Sequence, residues 1–227
     1  PLVLAVLLQS GILTDQARPQ PAVGAKPVSG RLLLLTRPML LFFGFYLLGA
    51  MAGAGVQAWL ITVLHTVNGL GVEAASSALT GYLAGVACGV LVGGYAVGRL
   101  PNRLLGFVVL STVISSTLML VVAGVSLPGL VVIVVMFAAG LGLGTTRTPR
   151  DMMVKEAAPA GQIGKVFGFV SSGLPLGTAL TPVPFGFLID RGHPELVLVL
   201  VAVLLLASLL CAGTARGAAE TRLVAAE

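Results

Sequence analysis

Charged side chains are scarce in this 227-residue chain, at 9% of all residues, whereas soluble domains carry about 25%. The 13 basic and 8 acidic residues are also unevenly spread, because six long windows contain none of them. A membrane-spanning helix needs about 20 apolar residues, since a charge in hydrocarbon costs several kcal/mol. We therefore predict an all-α polytopic membrane protein in a lipid bilayer, with six transmembrane helices. The predicted spans run from about Met39 to Thr66, Ser76 to Gly98, Leu104 to Val125, Pro128 to Thr146, Val166 to Ile189 and Leu196 to Thr214.

Residues that support common enzymatic chemistry are equally rare. The chain has two cysteines and two histidines, and no predicted span contains an Asp or a Glu. Neither a Walker sequence G-x-x-x-x-G-K-[ST] nor an H-E-x-x-H sequence occurs. The net charge is +5, but the basic residues form no continuous run, which argues against nucleic-acid binding. We predict no enzyme activity, no cofactor, no metal site and no nucleic-acid partner.

The positions of the basic residues predict the orientation. When the gaps between spans are assigned to alternating sides, all of the 13 basic residues except Arg191 fall on one side. Cytoplasmic loops collect Lys and Arg, so both ends of the chain are predicted to be cytoplasmic. A missed or additional span would destroy this separation, which therefore also supports six spans. The expected location is the plasma membrane, the inner membrane in a bacterium.

The beginning of the chain differs from the rest. Residues 1–13 are apolar but too short to span a bilayer, and we interpret them as the end of a preceding, truncated transmembrane helix. Residues 14–37 have the Pro, Gly and Ala content of a linker and are predicted to be cytoplasmic. Residues 38–215 then form the six-helix bundle, and residues 216–227 form a cytoplasmic tail. We interpret the chain as half of a larger protein.

Four glycines in the second span are spaced four residues apart, which places them along one narrow face of a helix. Such small residues let a second backbone approach closely. The stripe is interpreted either as rigid packing within the bundle or as a surface between two moving halves, and the two interpretations are compatible. The glycines are Gly81, Gly85, Gly89 and Gly93.

The fifth span contains Pro175, Pro182 and Pro184. Each proline removes an amide donor and interrupts the helical hydrogen bonds. Broken helices at membrane depth mark substrate pathways in many transporters, although a proline kink also occurs merely to shape a bundle. Ser171 and Ser172, in the same span, are candidates for a substrate cavity.

The first span has a polar face formed by Tyr46, Gly49, Gly53 and Gln57, while Trp59 is predicted to point away. A buried amide in lipid requires partners, so this face is expected to meet protein or a water-filled cavity. Tyr46 and Gln57 are therefore candidate cavity residues. Hydrogen bonding between helices without any ligand is an equally good explanation.

The loop after the second span reads Gly94-Tyr95-Ala96-Val97-Gly98-Arg99-Leu100-Pro101-Asn102-Arg103. It resembles the loop signature G-x-L-x-D-R-x-G-R-[KR] of the major facilitator superfamily, with Gly94, Arg99 and Arg103 matching. Gly98 replaces the Asp of that signature. The whole chain is similar to the C-terminal half of such a transporter, which implies a missing N-terminal half with six helices.

Two further segments resemble features of that family. Gly177 to Gly186 is similar to the antiporter motif G-x-x-x-G-P-x-x-G, with Thr181 in place of the second Gly. Arg147, Arg150 and Asp151 end the fourth span and resemble the charges of a cytoplasmic gate. Positive-inside anchoring explains the same arginines without a gate.

The resemblance implies a secondary active transporter that works by alternating access on a small-molecule substrate. Efflux of a drug or metabolite is the favoured direction, and uptake of a small solute is the alternative. A membrane scaffold or assembly factor that transports nothing is the competing class.

Overall fold

The computed structural model describes residues 36–99, 103–125, 127–159 and 161–224, with side chains up to residue 214. The predictions for residues 1–13 and for nearly all of the linker 14–37 concern positions outside this part. Within it, the chain forms helices and turns and contains no strand. The all-α prediction is confirmed for the described residues.

Nine helices are present in the described part of the chain. They are α1 (Arg37–Thr66), α2 (Val72–Arg99), α3 (Leu104–Gly124), α4 (Gly129–Thr145), α5 (Arg147–Ala157), α6 (Ile163–Ser171), α7 (Gly173–Leu180), α8 (Pro182–Asp190) and α9 (Leu196–Val224). Six helical stretches among the described residues are long and apolar enough to cross a membrane, which confirms six spans. The fourth span combines α4 and α5, the fifth combines α6, α7 and α8, and each other span is one helix.

The fifth span is divided at Ser172 and Thr181. Pro182 is the first residue of α8, a position where a missing amide interrupts the fewest bonds. The Thr178 carbonyl, which lies one turn before Pro182, instead accepts a hydrogen bond from the Thr181 amide at 3.3 Å. The Thr181 hydroxyl donates to the Gly177 carbonyl at 2.9 Å. These local bonds compensate in part for the amide that proline lacks.

The spans pack as two related groups of three. The second span packs most extensively against the fourth, and the first packs against the fifth. The third span packs against the fourth and sixth, and the sixth also packs against the first. If the first span is exchanged with the fourth, the second with the fifth and the third with the sixth, each of these packing pairs becomes a packing pair of the same set. Such a relation between two halves of a bundle is typical of internal repeats in transporters.

The glycine stripe of α2 lies against α4. A methyl group at Gly85, Gly89 or Gly93 would overlap the carbonyl oxygen of Phe137, Leu141 or Thr145, respectively. Gly81 is less tightly packed, because a methyl group there would lie 3.3 Å from the Ile133 carbonyl oxygen. The partner of the stripe is therefore another helix of the same bundle, and the two backbones meet with no side chain between them.

A similar contact joins α7 to α1. A methyl group at Gly177 would overlap the Leu47 carbonyl, and one at Gly173 would lie 2.9 Å from the Phe43 carbonyl. The contacts advance along both helices in the same direction, so α1 and α7 are parallel. This is the expected relation, because the first and fifth spans cross the membrane in the same direction. The buried Phe185 ring of α8 continues this interface against Gly55.

Candidate functional site

A cavity of about 610 Å³ lies in the centre of the bundle and is lined by residues of all six spans, including Thr112 of the third and Leu205 and Ser208 of the sixth. Helix α1 supplies the largest share of its wall, mainly through small side chains, and a methyl group at Gly49 or Gly53 would meet no atom within 4 Å. The cavity exists because α1 carries small residues where larger side chains would otherwise fill the space. The α1 residues on the wall are Phe45, Gly49, Ala50, Gly53, Ala54, Gln57, Ala58 and Trp59.

Gln57 is the polar side chain that α1 places on this wall. It is exposed, and its amide nitrogen donates to the Gly53 carbonyl at 3.3 Å. No other described residue forms a hydrogen bond with its side chain. The amide oxygen is therefore available to a hydrogen-bond donor in the cavity.

Trp59 also lines the cavity, so the prediction that it points away was wrong. Two residues along an α-helix are about 200° apart, which separates the backbone positions of Gln57 and Trp59. The indole is long enough to reach the edge of the cavity from its own face of α1. Its Nε1 atom is buried and has no hydrogen-bond partner among the described residues.

Tyr46 is not on the cavity wall. The side chain is 1% exposed, and its hydroxyl donates to Asp151 Oδ1 at 2.6 Å. The Arg150 guanidinium lies over the Tyr46 ring at 3.9 Å from its centre, and Arg150 Nε lies 3.3 Å from the same Asp151 oxygen. These contacts link α1 to α5. Tyr46 lies within the helix interface rather than on the open face of α1, and this is why it does not line the cavity.

Ser171 and Ser172 also lie outside the cavity wall. Their hydroxyls donate to carbonyls three residues earlier, Gly168 at 3.2 Å and Phe169 at 2.6 Å. Such bonds to the serine's own helix are a common use of serine in membrane segments. They occupy the hydroxyl donors of both side chains.

The fifth span instead contributes Leu174, Thr178, Thr181 and Pro182. The first three are separated by four and three positions, which is the spacing of one helical face. Sequence reasoning singled out the prolines of this span and overlooked the threonines, although that spacing would have identified them. Pro175 and Pro184 do not line the cavity.

One end of the cavity is cationic. Arg147 is the first residue of α5, and both Arg147 and Arg150 line the cavity. They are its only charged residues among those that the structure describes, and no carboxylate lines it there. Arg147 is exposed and forms no ion pair with a described residue, whereas Arg150 pairs with Asp151.

The loop candidates lie away from the cavity. Gly94 and Arg99 are exposed near the end of α2, and the Arg99 guanidinium lies 5.0 Å from the centre of the Tyr95 ring. Arg103 is exposed and immediately precedes α3. The three residues between Arg99 and Arg103 fall outside the described part of the chain.

Comparison with known proteins shows similarity to a family model and to solved structures. The family model for the Major Facilitator Superfamily matches residues 39–225. The fold is similar to that of a mutant of the peptide transporter POT, determined in complex with sulfate, with a TM-score of 0.64 and 19% sequence identity. The match covers 76% of this chain and 36% of that one, so this chain spans little more than a third of the transporter's length. No curated protein sequence matches significantly.

Proposed function

Since the chain belongs to the major facilitator superfamily, we propose that it forms half of a secondary active transporter for a small molecule. The observation that carries this proposal is the cavity of about 610 Å³ lined by all six spans. Sites of small molecules are concave, of roughly 300–1,000 Å³, and mostly apolar with a few polar groups. This wall has that character, with alanines and glycines around Gln57, four threonines, one serine and two arginines.

Alternating access requires a second group of helices that rocks against this one. In the proposal, that group is an N-terminal six-helix half preceding this chain in the full-length protein. The two backbone-to-backbone interfaces, α2 with α4 and α1 with α7, let the present half move as a unit. The Tyr46–Arg150–Asp151 contacts tie α1 to α5 at one end of the same unit.

Efflux is the proposed direction, across a plasma membrane with both ends of the chain cytoplasmic. The similarity of Gly177 to Gly186 to an antiporter motif supports it, and so does the apolar wall formed by Leu174, Pro182 and Trp59. A mostly apolar wall suits substrates that share size and apolar character.

The test is flux in proteoliposomes that contain the full-length protein, with a panel of anionic, neutral and cationic small molecules. Gln57→Leu is expected to raise KM for transported compounds about 2- to 10-fold, since one hydrogen bond contributes about 0.5–1.5 kcal/mol. The matched control is Thr62→Val, a polar-to-apolar change at an exposed position of the same helix that does not line the cavity.

The outcomes separate the competing functions. If the Gln57→Leu protein transports with an unchanged KM, the substrate does not contact this cavity during transport. No flux of any compound would contradict the transporter proposal and favour a scaffold. Residues 1–227 alone are expected to insert without transporting, because alternating access needs both halves.

A further inference from the structure

The charge of the cavity is concentrated at one end. Arg147 and Arg150 lie where α4 passes into α5, and the rest of the described wall is uncharged. Asp151 is the nearby carboxylate, and its Oδ1 atom already accepts bonds from Arg150 and Tyr46. The balance at this end is therefore two guanidinium groups against one carboxylate.

The two arginines have different surroundings. Arg150 has a side chain that is 15% exposed, lies over the Tyr46 ring and pairs with Asp151. Arg147 is exposed and has no ion-pair partner among the described residues. A guanidinium presents several N–H groups in a plane and binds carboxylate, sulfonate or phosphate oxygens through two parallel hydrogen bonds. Arg147 is thus the group of this wall that is best suited to receive an anion.

The remainder of the cavity is long and mostly apolar, with the Gln57 amide and the hydroxyl groups of four threonines and Ser208 as its uncharged polar groups. Its α1 wall extends from Phe45 to Trp59, which is about 21 Å at the rise of an α-helix. Ala54, Ala58 and Pro182 lie along this length. A small inorganic anion bound at Arg147 would leave most of the volume empty. The shape therefore fits a ligand with an anionic group at one end and an apolar body.

We propose that the transported substrates are organic anions, with the anionic group at Arg147 and the apolar body along α1 toward Trp59. This inference rests on the transporter function proposed above and names its substrate class. Cationic substrates are disfavoured, because the described wall provides no carboxylate and two guanidinium groups would repel them. The anionic headgroup of a lipid has the same chemistry, and the experiment below distinguishes it from a dissolved solute.

The test uses the full-length protein and three probes of similar shape, 2-naphthalenesulfonate, 2-naphthalenesulfonamide and 2-naphthylmethylammonium. Binding is measured as ligand-dependent thermal stabilisation, and flux is measured in phosphatidylcholine liposomes. We expect the sulfonate to bind most tightly and to be transported. Arg147→Gln is expected to weaken sulfonate binding about tenfold or more, as loss of a charged hydrogen bond does.

Two further variants separate charge from structure. Arg147→Lys keeps the positive charge and is expected to retain much of the sulfonate affinity. Lys155→Gln removes a positive charge from an exposed position of the same helix, outside the cavity, and is expected to bind the sulfonate like the original protein. Equal weakening by Arg147→Gln and Lys155→Gln would show a general surface-charge effect and would overturn the assignment.

The remaining outcomes distinguish the substrate class from the transporter function. Preferred transport of the ammonium or the sulfonamide would overturn the anion assignment and leave the transporter proposal standing. The anion assignment also fails if the sulfonate does not bind, or if Arg147→Gln alters only the response to added phosphatidylglycerol, which would identify a lipid headgroup as the ligand. Absence of flux for every anionic, neutral and cationic molecule tested would overturn both proposals.

Discussion

Replacement of Gly89 by alanine tests whether α2 and α4 meet backbone to backbone. The added methyl group would overlap the Leu141 carbonyl oxygen and would lie 2.9 Å from both the Gly144 Cα atom and the Thr145 nitrogen. Ordinary van der Waals contact begins near 3.4 Å. Because all three atoms belong to the backbone, no side-chain rotation relieves the overlap, and the two helices must separate.

The expected change in stability is the difference of two effects. Overpacking of a close contact costs about 1–3 kcal/mol, and alanine is favoured over glycine in a helix by about 1 kcal/mol. The contacts at Gly85 and Gly93 lie on the same seam and open together with the one at Gly89, which places the cost near the upper value. We therefore expect Gly89→Ala to lower the free energy of unfolding by about 2 kcal/mol.

Gly94→Ala is the matched control, because a methyl group at Gly94 would meet no atom within 4 Å. This change is expected to leave stability unchanged or to raise it by up to about 1 kcal/mol. Equilibrium unfolding of the purified full-length proteins in mixed detergent micelles measures both. If the two variants unfold at the same denaturant concentration, the proposed backbone contact at Gly89 is incorrect.

Three further predictions concern topology and packing. Single cysteines at Lys155 and His193, in a protein without its native cysteines, are expected to react with impermeant reagents from opposite sides of the membrane; labelling from one side would contradict the six-span topology. Tyr46→Phe removes the bond to Asp151 while keeping the ring under the guanidinium, so unfolding measurements are expected to show a loss of about 1 kcal/mol, and an unchanged value would mean that the bond contributes nothing. Phe185→Ala empties a fully buried site and is expected to cost about 3–5 kcal/mol by the same measurement, whereas a cost below about 1 kcal/mol would show that the site is not packed.

The number of spans was predictable because exclusion of charge from hydrocarbon acts on each segment separately. The ends of the helices were not predictable by the same rule. Helix α2 begins at Val72 and includes Glu73 in its first turn, and the fourth span continues through Arg147 to Ala157. Helices extend beyond the hydrocarbon, where their charged residues contact water and headgroups, so composition marks the apolar zone rather than the helix.

The cavity was partly predictable for a related reason. Helical periodicity grouped Gly49, Gly53 and Gln57, and these three residues share the wall of the cavity. Periodicity gives the direction of a backbone position but not the reach or the partner of a long side chain. Tyr46 bonds to Asp151, 105 positions away, and no local pattern encodes a contact of that range. Trp59 lines the cavity from another face of α1, because periodicity does not account for the reach of a long side chain.

The packing of α2 against α4 also constrains the order of events during synthesis. The glycine stripe of α2 contacts no carbonyl of α4 until Phe137, Leu141 and Thr145 have been made, after the whole of α3. Thr145 follows Gly93 by 52 residues, so at about 5–20 residues per second the interval lasts about 3–10 seconds. During this time the glycine stripe of α2 lacks its α4 partner. A translational pause between Leu104 and Thr145 prolongs the period in which another helix with small residues can pack against the stripe before α4 does.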